Sequence, residues 1–592
     1  MKLNQALVKF LIWRLRHISN NNFILLLGGL VGIIAGLAAV TLKSSVHFIQ
    51  GFLQKNMDIA DVNYLYLGFP LVGILLTVFL AKYFLNERLG HGITQILYAI
   101  SKNSSIIKRT MMYSRMVTSA VTVGFGGSVG LEAPIVVTGS AIGSNLARLA
   151  HLNYKKRTLL IACGASGAIS AIFNSPIAGV IFAIEVILTD VTINKFIPIL
   201  ISSVTGSLVS LVLLGGDILF SFKIKDPFLA QHTHYYLLFG IGCGIVSVHF
   251  TRLTYVIEST IAKVKNDWNR AILGGLGLAL IILTFPPIYG EGYNTIKLLL
   301  EGNEQGLFER SFFYGISDHS VVLVIFLFAI LVIKPVASAL TLGSGGSGGI
   351  FAPSLFMGGI AGYLFAKIVN LVFPVQISTS NFTLVGMCGV MSGVLHAPLT
   401  AIFLIAEITG GYTLFVPLML VSAISFVTIS YFEKHSLYTK SLIERGDLIQ
   451  HDKDRQVLSL LKIKKVIESD VLTIASTAKL EDLVLLVKKS KRNIFPVINE
   501  HGALEGIITL DDIRELMFDP EARANMEVKS FMLKPPASVD PSDSMQMVMS
   551  KFEVTQAWNL PVIKDGKYIG LVSKSRIFNA YRNKLIQQYK EE

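Results

Sequence analysis

The sequence predicts an all-α polytopic membrane domain made of two related halves, followed by a soluble α/β tail that is itself a repeated pair. Three observations carry this reading. Hydrophobic residues make up 52% of the 592 positions and the mean hydropathy is +0.59, which over this length requires several apolar spans. Two motifs recur in the same order. Gly127-Ser128-x-Gly130-x-x-Ala133-Pro134 returns 219 residues later as Gly346-Ser347-x-Gly349-x-x-Ala352-Pro353. Asn174-Ser175-Pro176, leading to Glu185, is matched 222 residues later by His396-Ala397-Pro398, leading to Glu407. Finally, apolar content falls after Phe432, and from about Leu442 short charge-flanked strands and helices take over.

The first half is organised around Gly126 to Pro134. Glycines followed by a proline in the first turn suit a helix N-terminus, because proline gives up an N–H that is unpaired there anyway. The other free N–H groups, with the positive end of the helix dipole, make an anion site. Broken backbone inside a bilayer survives only where it lines protein or a water-filled cavity. Glu132 at that point can compete with a bound anion, and a carboxylate in an apolar span is costly enough to expect a function. The competing reading is close helix packing through Gly126 and Gly130. Interrupted apolar segments at matching places in two halves point to a transport site.

Taken in order, the chain opens with Lys2, Lys9, Arg14 and Arg16 before the apolar run at Phe23, which has no small-residue cleavage site. This reads as a retained span with a cytoplasmic N-terminus. Phe23–Leu42 and Tyr64–Leu85 are long enough to cross. Leu89 to Gln95 is a glycine-bracketed break carrying His91, followed by a basic patch of Lys102, Lys108, Arg109 and Arg115. From there to Gly215 the apolar stretches are short and glycine-punctuated, so tilted and half-crossing helices are expected. Asp217 to His234 reads as a connection between the halves, and the second half repeats the style through Tyr431, with a polar loop from Gly290 to Asp318. Glu185 and Glu407 end paired helices, which suggests structural capping. Lys334, near the end of an apolar run, is expected to snorkel toward an interface or add positive potential from a distance. Lys434 to Lys440 reads as a basic linker.

In the tail, strands are expected at Val471–Ile474, Phe495–Ile498 and Gly506–Thr509, with a helix over Leu480–Lys489. The pattern returns as Ala537–Val539, a helix over Met545–Phe552, Leu560–Ile563, Gly570–Ser573 and a last helix.

These features together resemble the CLC family of chloride channels and proton/chloride exchangers, with a pair of CBS-type modules behind. Four signatures fall in order: GHGIT at Gly90, GLEAP at Gly130, GIFAP at Gly349, and Tyr438 in HSLYTK. The resemblance implies a CLC-type inverted repeat over 1–441 (halves about 23–215 and 235–441), a linker over 442–463, and CBS modules over 464–522 and 523–592. It implies one anion pore per subunit, two pores in a homodimer, chloride as the chief anion, and an integral membrane protein whose N-terminus and tail face the cytoplasm. Glu132 would be the gate. The amides of Leu131, Glu132 and Ala133 would face an outer anion site, and those of Ile350 and Phe351 would hold a central anion beside the Tyr438 hydroxyl. Such neutral donors bind weakly enough to release what they bind.

Two departures bear on mechanism. His91 stands where the family usually has Ser; its ring could donate to the anion, titrate, or turn away to a backbone partner. Val186 stands where exchangers carry an inner proton glutamate. Channel-like conduction is therefore the expectation, with proton-coupled exchange the alternative. In the tail, Thr509 and Asp512 match the CBS nucleotide signature, while the second copy has Ser573 but Arg576 in place of the acid. One adenine nucleotide could bind there, or the tail could serve structure and dimerisation alone. No cofactor is required by this reading.

Other functions find little support. The net charge of +13 is concentrated outside the apolar spans, as membrane orientation requires, so a nucleic-acid partner is not expected. Cys163, Cys243 and Cys388 have no metal-ligand spacing. No catalytic constellation or phosphate-cradling loop is visible, so the chain does not read as an enzyme.

Overall fold

The computed structural model describes residues 9, 12–14, 16–54, 65–87, 90, 92–188, 193–215, 226–309, 311–313, 320–444, 447, 461 and 463–590. His91 and the first half of the expected connection between the halves, residues 217–225, lie outside them. The chain forms two compact units, Met1–Leu448 and Ile449–Glu592.

Among the described residues, the first unit is helical apart from a single β-bridge. Its first half contains α1 (Asn20–Gln54), α2 (Leu65–Phe79), α3 (Gly92–Lys102), α4 (Ser114–Gly124), α5 (Glu132–Leu149), α6 (Tyr154–Phe173), α7 (Pro176–Phe182) and α8 (Ile193–Leu214). The second half contains α9 (Thr233–Ile261), α10 (Asp267–Thr284), α11 (Tyr293–Glu301), α12 (Ser320–Gly343), α13 (Phe351–Val372), α14 (Thr379–Leu395), α15 (Pro398–Ile408) and α16 (Phe415–Phe432). A short α17 (Leu437–Glu444) closes the unit. Among the described residues, nine helices are long and apolar enough to cross a membrane. Others, such as α3, α4 and α15 at 11 residues each, are too short. They are the half-crossing pieces that the glycine-rich sequence led one to expect.

The two halves are related residue by residue. Gly130 and Gly349 exchange both backbone hydrogen bonds, at 2.9 and 2.8 Å, as an antiparallel bridge. Ser128 N–H donates to Thr341 Oγ1, and Ser347 N–H donates to Thr122 Oγ1. Thr122 and Thr341 are separated by the same 219 residues as the two serines. Such reciprocity is what a two-fold relation demands.

The pairs α5–α6 and α13–α14 also repeat one contact. A Cβ on Gly139 would sit 2.2 Å from the carbonyl oxygen of Gly164, and one on Gly358 would sit 2.2 Å from that of Gly386. Only glycine lets these backbones approach so closely. Both second helices end on a left-handed residue, Asn174 and His396. Each leads into a short helix that starts with proline, α7 and α15.

The short helices are tied across the two-fold by their glutamates. Glu185 accepts from the N–H groups of Leu399 and Thr400 and from the Thr400 hydroxyl. Glu407 accepts from the N–H groups of Ile177 and Ala178. Each glutamate caps the helix of the other half, where free N–H groups and the helix dipole favour an anion.

Three expectations need correction. Lys334 does not snorkel: it is fully buried. Arg115 is set apart from the exposed Lys102 and Lys108 of the basic patch. It is buried too, with Nη2 donating to Gln95 (2.7 Å) and Nη1 to the Gly90 carbonyl (3.3 Å). The supposed basic linker instead enters α17, whose Leu437 and Tyr438 are buried.

The second unit holds two copies of a small α/β module. In the first, β1 (Ile474–Ala475) pairs parallel with β2 (Ile494–Ile498), which pairs antiparallel with β3 (Leu504–Thr509). Helix α18 (Leu480–Lys489) covers this sheet through Leu480, Leu483 and Val484. In the second, β4 (Asn559–Lys564) pairs antiparallel with β5 (Lys567–Ser573), against α21 (Met545–Thr555) and α22 (Lys574–Lys590); α19 (Leu510–Ile513) and α20 (Pro520–Asn525) lie between the modules in sequence. The run expected as a strand at Val471–Ile474 pairs only from Ile474. At Ala537–Val539 a single bridge, Val539 to Val562, remains.

Candidate functional site

The paired glycine loops deliver two helix N-termini to one place. α5 begins at Glu132 with Leu131 as its N-cap residue, and α13 begins at Phe351 with Ile350 in the same role. Neither N-cap side chain supplies an acceptor, so the first N–H groups of both helices are left for something else. Leu131, Glu132, Ala133, Ile350 and Phe351 are each at most 2% exposed.

Glu132 itself fills the gap. Its Oε2 lies beside Gly130, where an added Cβ would be 2.0 Å from it and 2.8 Å from the Cβ of Ala352. The Ala352 amide, in the first turn of α13, acts on the carboxylate, as does Glu132's own N–H. Its other oxygen accepts from the Tyr293 hydroxyl. A carboxylate thus occupies the space between two positive helix ends.

Tyr438 approaches from α17. Its ring is buried, its hydroxyl finds no hydrogen-bond partner among the described residues, and Glu132 lies within electrostatic reach. A buried unpaired hydroxyl is rare enough to require an explanation, and a bound anion would supply one. Thr94 holds this helix in place by donating to the Tyr438 carbonyl at 2.9 Å. Phe351 is wedged by Phe173 and Phe182, with ring centroids at 5.4 and 6.4 Å. Val186 sits in a π-helical turn, Ala183–Ile187, that ends α7, partly buried against the core.

The loop from Pro286 to Gly292 contributes residues that sequence reasoning passed over as part of a polar loop. Ser128 Oγ donates to the Ile288 carbonyl at 2.8 Å. Gly290 N–H donates to the Gly126 carbonyl. Lys334 Nζ donates to Ser128 Oγ at 2.9 Å and to the carbonyls of Ile288 and Gly290, and lies 4.5 Å from the Phe356 ring centroid. So anchored, the loop aims Glu291 at α5: its Oε1 accepts from the Leu131 N–H at 3.1 Å. Gly290 and Gly292 both have left-handed φ, +63° and +86°, which lets the backbone turn on either side of Glu291. An acid between two glycines, followed by Tyr293, was the available signal.

A cavity of about 950 Å³ lies among α2, α3 and α10, with Lys82, Lys108, Lys265 and Arg270 outnumbering Glu87 and Asp267 in its wall. Gln95 and Gly345 also line it. The latter belongs to the loop that leads into α13. A wall with excess positive charge concentrates anions.

In the tail, Thr509 and Asp512 are together: the threonine's N–H and hydroxyl both donate to Asp512 Oδ2 at 2.7 Å. Ser573 is occupied elsewhere. It is buried and donates to Glu468 at 2.6 Å, so a carboxylate stands where a phosphate would have to approach it.

A family model described as "Voltage gated chloride channel" matches residues 73–430, and one described as "CBS domain" matches 463–519 and 528–583. The chain is similar to "Chloride channel protein CLC-f" of Arabidopsis thaliana, with 26% identity over 564 residues covering 83% of this chain and 69% of the relative. It is similar to "H(+)/Cl(-) exchange transporter ClcA" of Vibrio vulnificus (strain YJ016), with 28% identity over 456 residues covering 75% and 93%. Among solved structures, a slow cyanobacterial Cl-/H+ antiporter superposes with a TM-score of 0.62 at 21% identity, covering 74% of this chain and 100% of the other.

Proposed function

The chain belongs to the voltage-gated chloride channel (CLC) family and is a multi-pass membrane protein of anion transport; from that premise we propose that each subunit passes chloride through its own pore, gated by Glu132. The observation that supports this most directly is the Glu132 carboxylate lodged between the first turns of α5 and α13, bonded to Tyr293. While it is there, it fills the space in which an anion would meet those helix ends. When it is protonated or displaced, the donors of Glu132, Ala133, Ile350 and Phe351, with the Tyr438 hydroxyl, face chloride, and that of Leu131 joins them once Glu291 lets it go. His91 is a further candidate ligand from its sequence position.

Channel-like conduction is the preferred reading, because Val186 cannot relay a proton. Proton-coupled exchange is the second reading, favoured by relatives whose names describe exchange of H+ for Cl-. Purified protein in liposomes separates the two. A reversal potential set by the anion gradient alone supports conduction, whereas one that moves with a pH gradient supports exchange. Loss of anion-gradient flux altogether, with no change on Glu132→Gln, would remove both.

Three further parts of the reading concern assembly and control. Two copies form a homodimer, the N-terminus and tail face the cytoplasm, and one adenine nucleotide binds at Thr509 and Asp512. A nucleotide there regulates only to the extent that its affinity differs between pore states.

A further inference from the structure

The amide that an outer anion would claim is already taken. Glu291 Oε1 sits 3.1 Å from the Leu131 nitrogen, on an element, the α10–α11 loop, unrelated to the one that carries Glu132. The charged groups acting on Glu291 are Glu132 on α5, Lys43 on α1 and Lys334 on α12. Tyr293 faces both carboxylates and donates to Glu132, and Tyr438 faces Glu132 from α17. Lys334 is fully buried and Lys43 nearly so. Two carboxylates are thus set against two lysines. With both acids ionised the cluster is balanced, and an arriving anion leaves it one negative charge in excess. In a low-dielectric site such an excess must be relieved, by a proton or by withdrawal of a carboxylate. Glu291 is half-buried where Glu132 is 1% exposed, so Glu291 is the less enclosed of the two residues.

Building on the transport reading above, we propose that Glu291 and Glu132 work as a single two-carboxylate gate, in which Glu291 covers the Leu131 amide until an anion displaces it. The chemistry is a competition for one N–H donor between a side-chain carboxylate and a small inorganic anion. Protonation of Glu291 takes up one H+ from the adjoining water and weakens its hold on that donor. Anion entry and proton uptake are then linked through the pair, and each must favour the other to the same degree.

The test uses the full chain in liposomes and in detergent, as wild type, E291Q, E291D and E132Q. Chloride binding is read by calorimetry, and chloride flux is read against outside pH. Glutamine keeps an acceptor for Leu131 but removes the charge. E291Q is expected to bind chloride about tenfold more tightly, and its flux midpoint is expected to fall by about one pH unit with a shallower profile, since a neighbouring like charge holds a shared proton. E291D retains the charge while drawing it back from the amide, so chloride affinity should rise while the steepness remains. The proposal is overturned if E291Q and E291D keep the wild-type affinity and pH profile. If E291Q fails to fold, the aspartate variant decides alone. Wild-type protein that neither binds nor passes chloride overturns the transport reading itself, a distinct result from flux with an unchanged profile.

Discussion

Replacing Tyr293 by phenylalanine removes one hydroxyl and leaves the ring in its buried seat. That hydroxyl is the side-chain donor to Glu132 Oε1. A hydrogen bond to a charged group contributes about 1.5–3 kcal/mol, and here it stabilises only the state in which the carboxylate blocks the anion site. With Glu132 swung away, the bond does not exist. At about 1.4 kcal/mol per factor of ten, its loss shifts the blocked-to-open ratio by about 10- to 150-fold. Apparent chloride affinity equals the intrinsic affinity scaled by the open fraction. It should therefore rise by up to that factor in Y293F, levelling off once the open state dominates. Calorimetric titration of purified protein with chloride measures it, and Glu132→Ala sets the ceiling. In an E132A background, removing the Tyr293 hydroxyl should change nothing, because the group it acts through is gone. The reasoning fails if Y293F leaves affinity unchanged while E132A raises it, or if Y293F has the same effect with and without the carboxylate.

Three other perturbations follow from the same geometry. The crossed caps predict that E185A and E407A each lower stability by about 1–2 kcal/mol, as lost N-caps do. E185A should cost more, by about the 1 kcal/mol of one hydrogen bond, because only Glu185 also receives a hydroxyl, from Thr400. Denaturant or thermal unfolding in detergent reads this, and the difference should vanish in a T400A background. Lys334→Met strips a buried cation from Glu291 and should destabilise the protein by about 3–5 kcal/mol, as unpairing buried charges does. Adding E291Q to K334M should restore part of the melting temperature, whereas no recovery would contradict the charge balance described. In the tail, adenine nucleotide at a hundred times its dissociation constant should stabilise its module by about 2.7 kcal/mol. D512A should abolish the shift in the full chain and S573A should spare it, since Ser573 is already bonded to Glu468; the reverse pattern would move the site to the second module.

Most of the architecture was legible because duplication leaves two readable copies. The 219-residue spacing that pairs the glycine loops in sequence also pairs Thr122 with Thr341 in space, where each caps the opposite loop. Glu185 and Glu407 could be read as caps because they stand at matching ends, but their exchange of helices belongs to the fold and is not visible in one copy. Lys334 was misread for a physical reason. A lone lysine in an apolar run ordinarily finds water by reaching for it, and only the folded loop shows that Ser128 and two carbonyls replace that water.

Glu291 and Tyr293 leave no repeat signal in the sequence, because these residues have no twin: the corresponding approach to α3 in the first half carries His91 and Thr94. The asymmetry is itself informative. A perfect two-fold would give both sides of the pore the same groups and no direction. Here one half contributes the glutamate at the helix end, and the other contributes the phenol that bonds it and the acid that covers the neighbouring Leu131 amide. On the proposed reading, the duplicated backbone builds the place for an anion, while the unduplicated side chains decide when it is vacant. Any account of gating in this chain has to start from those residues.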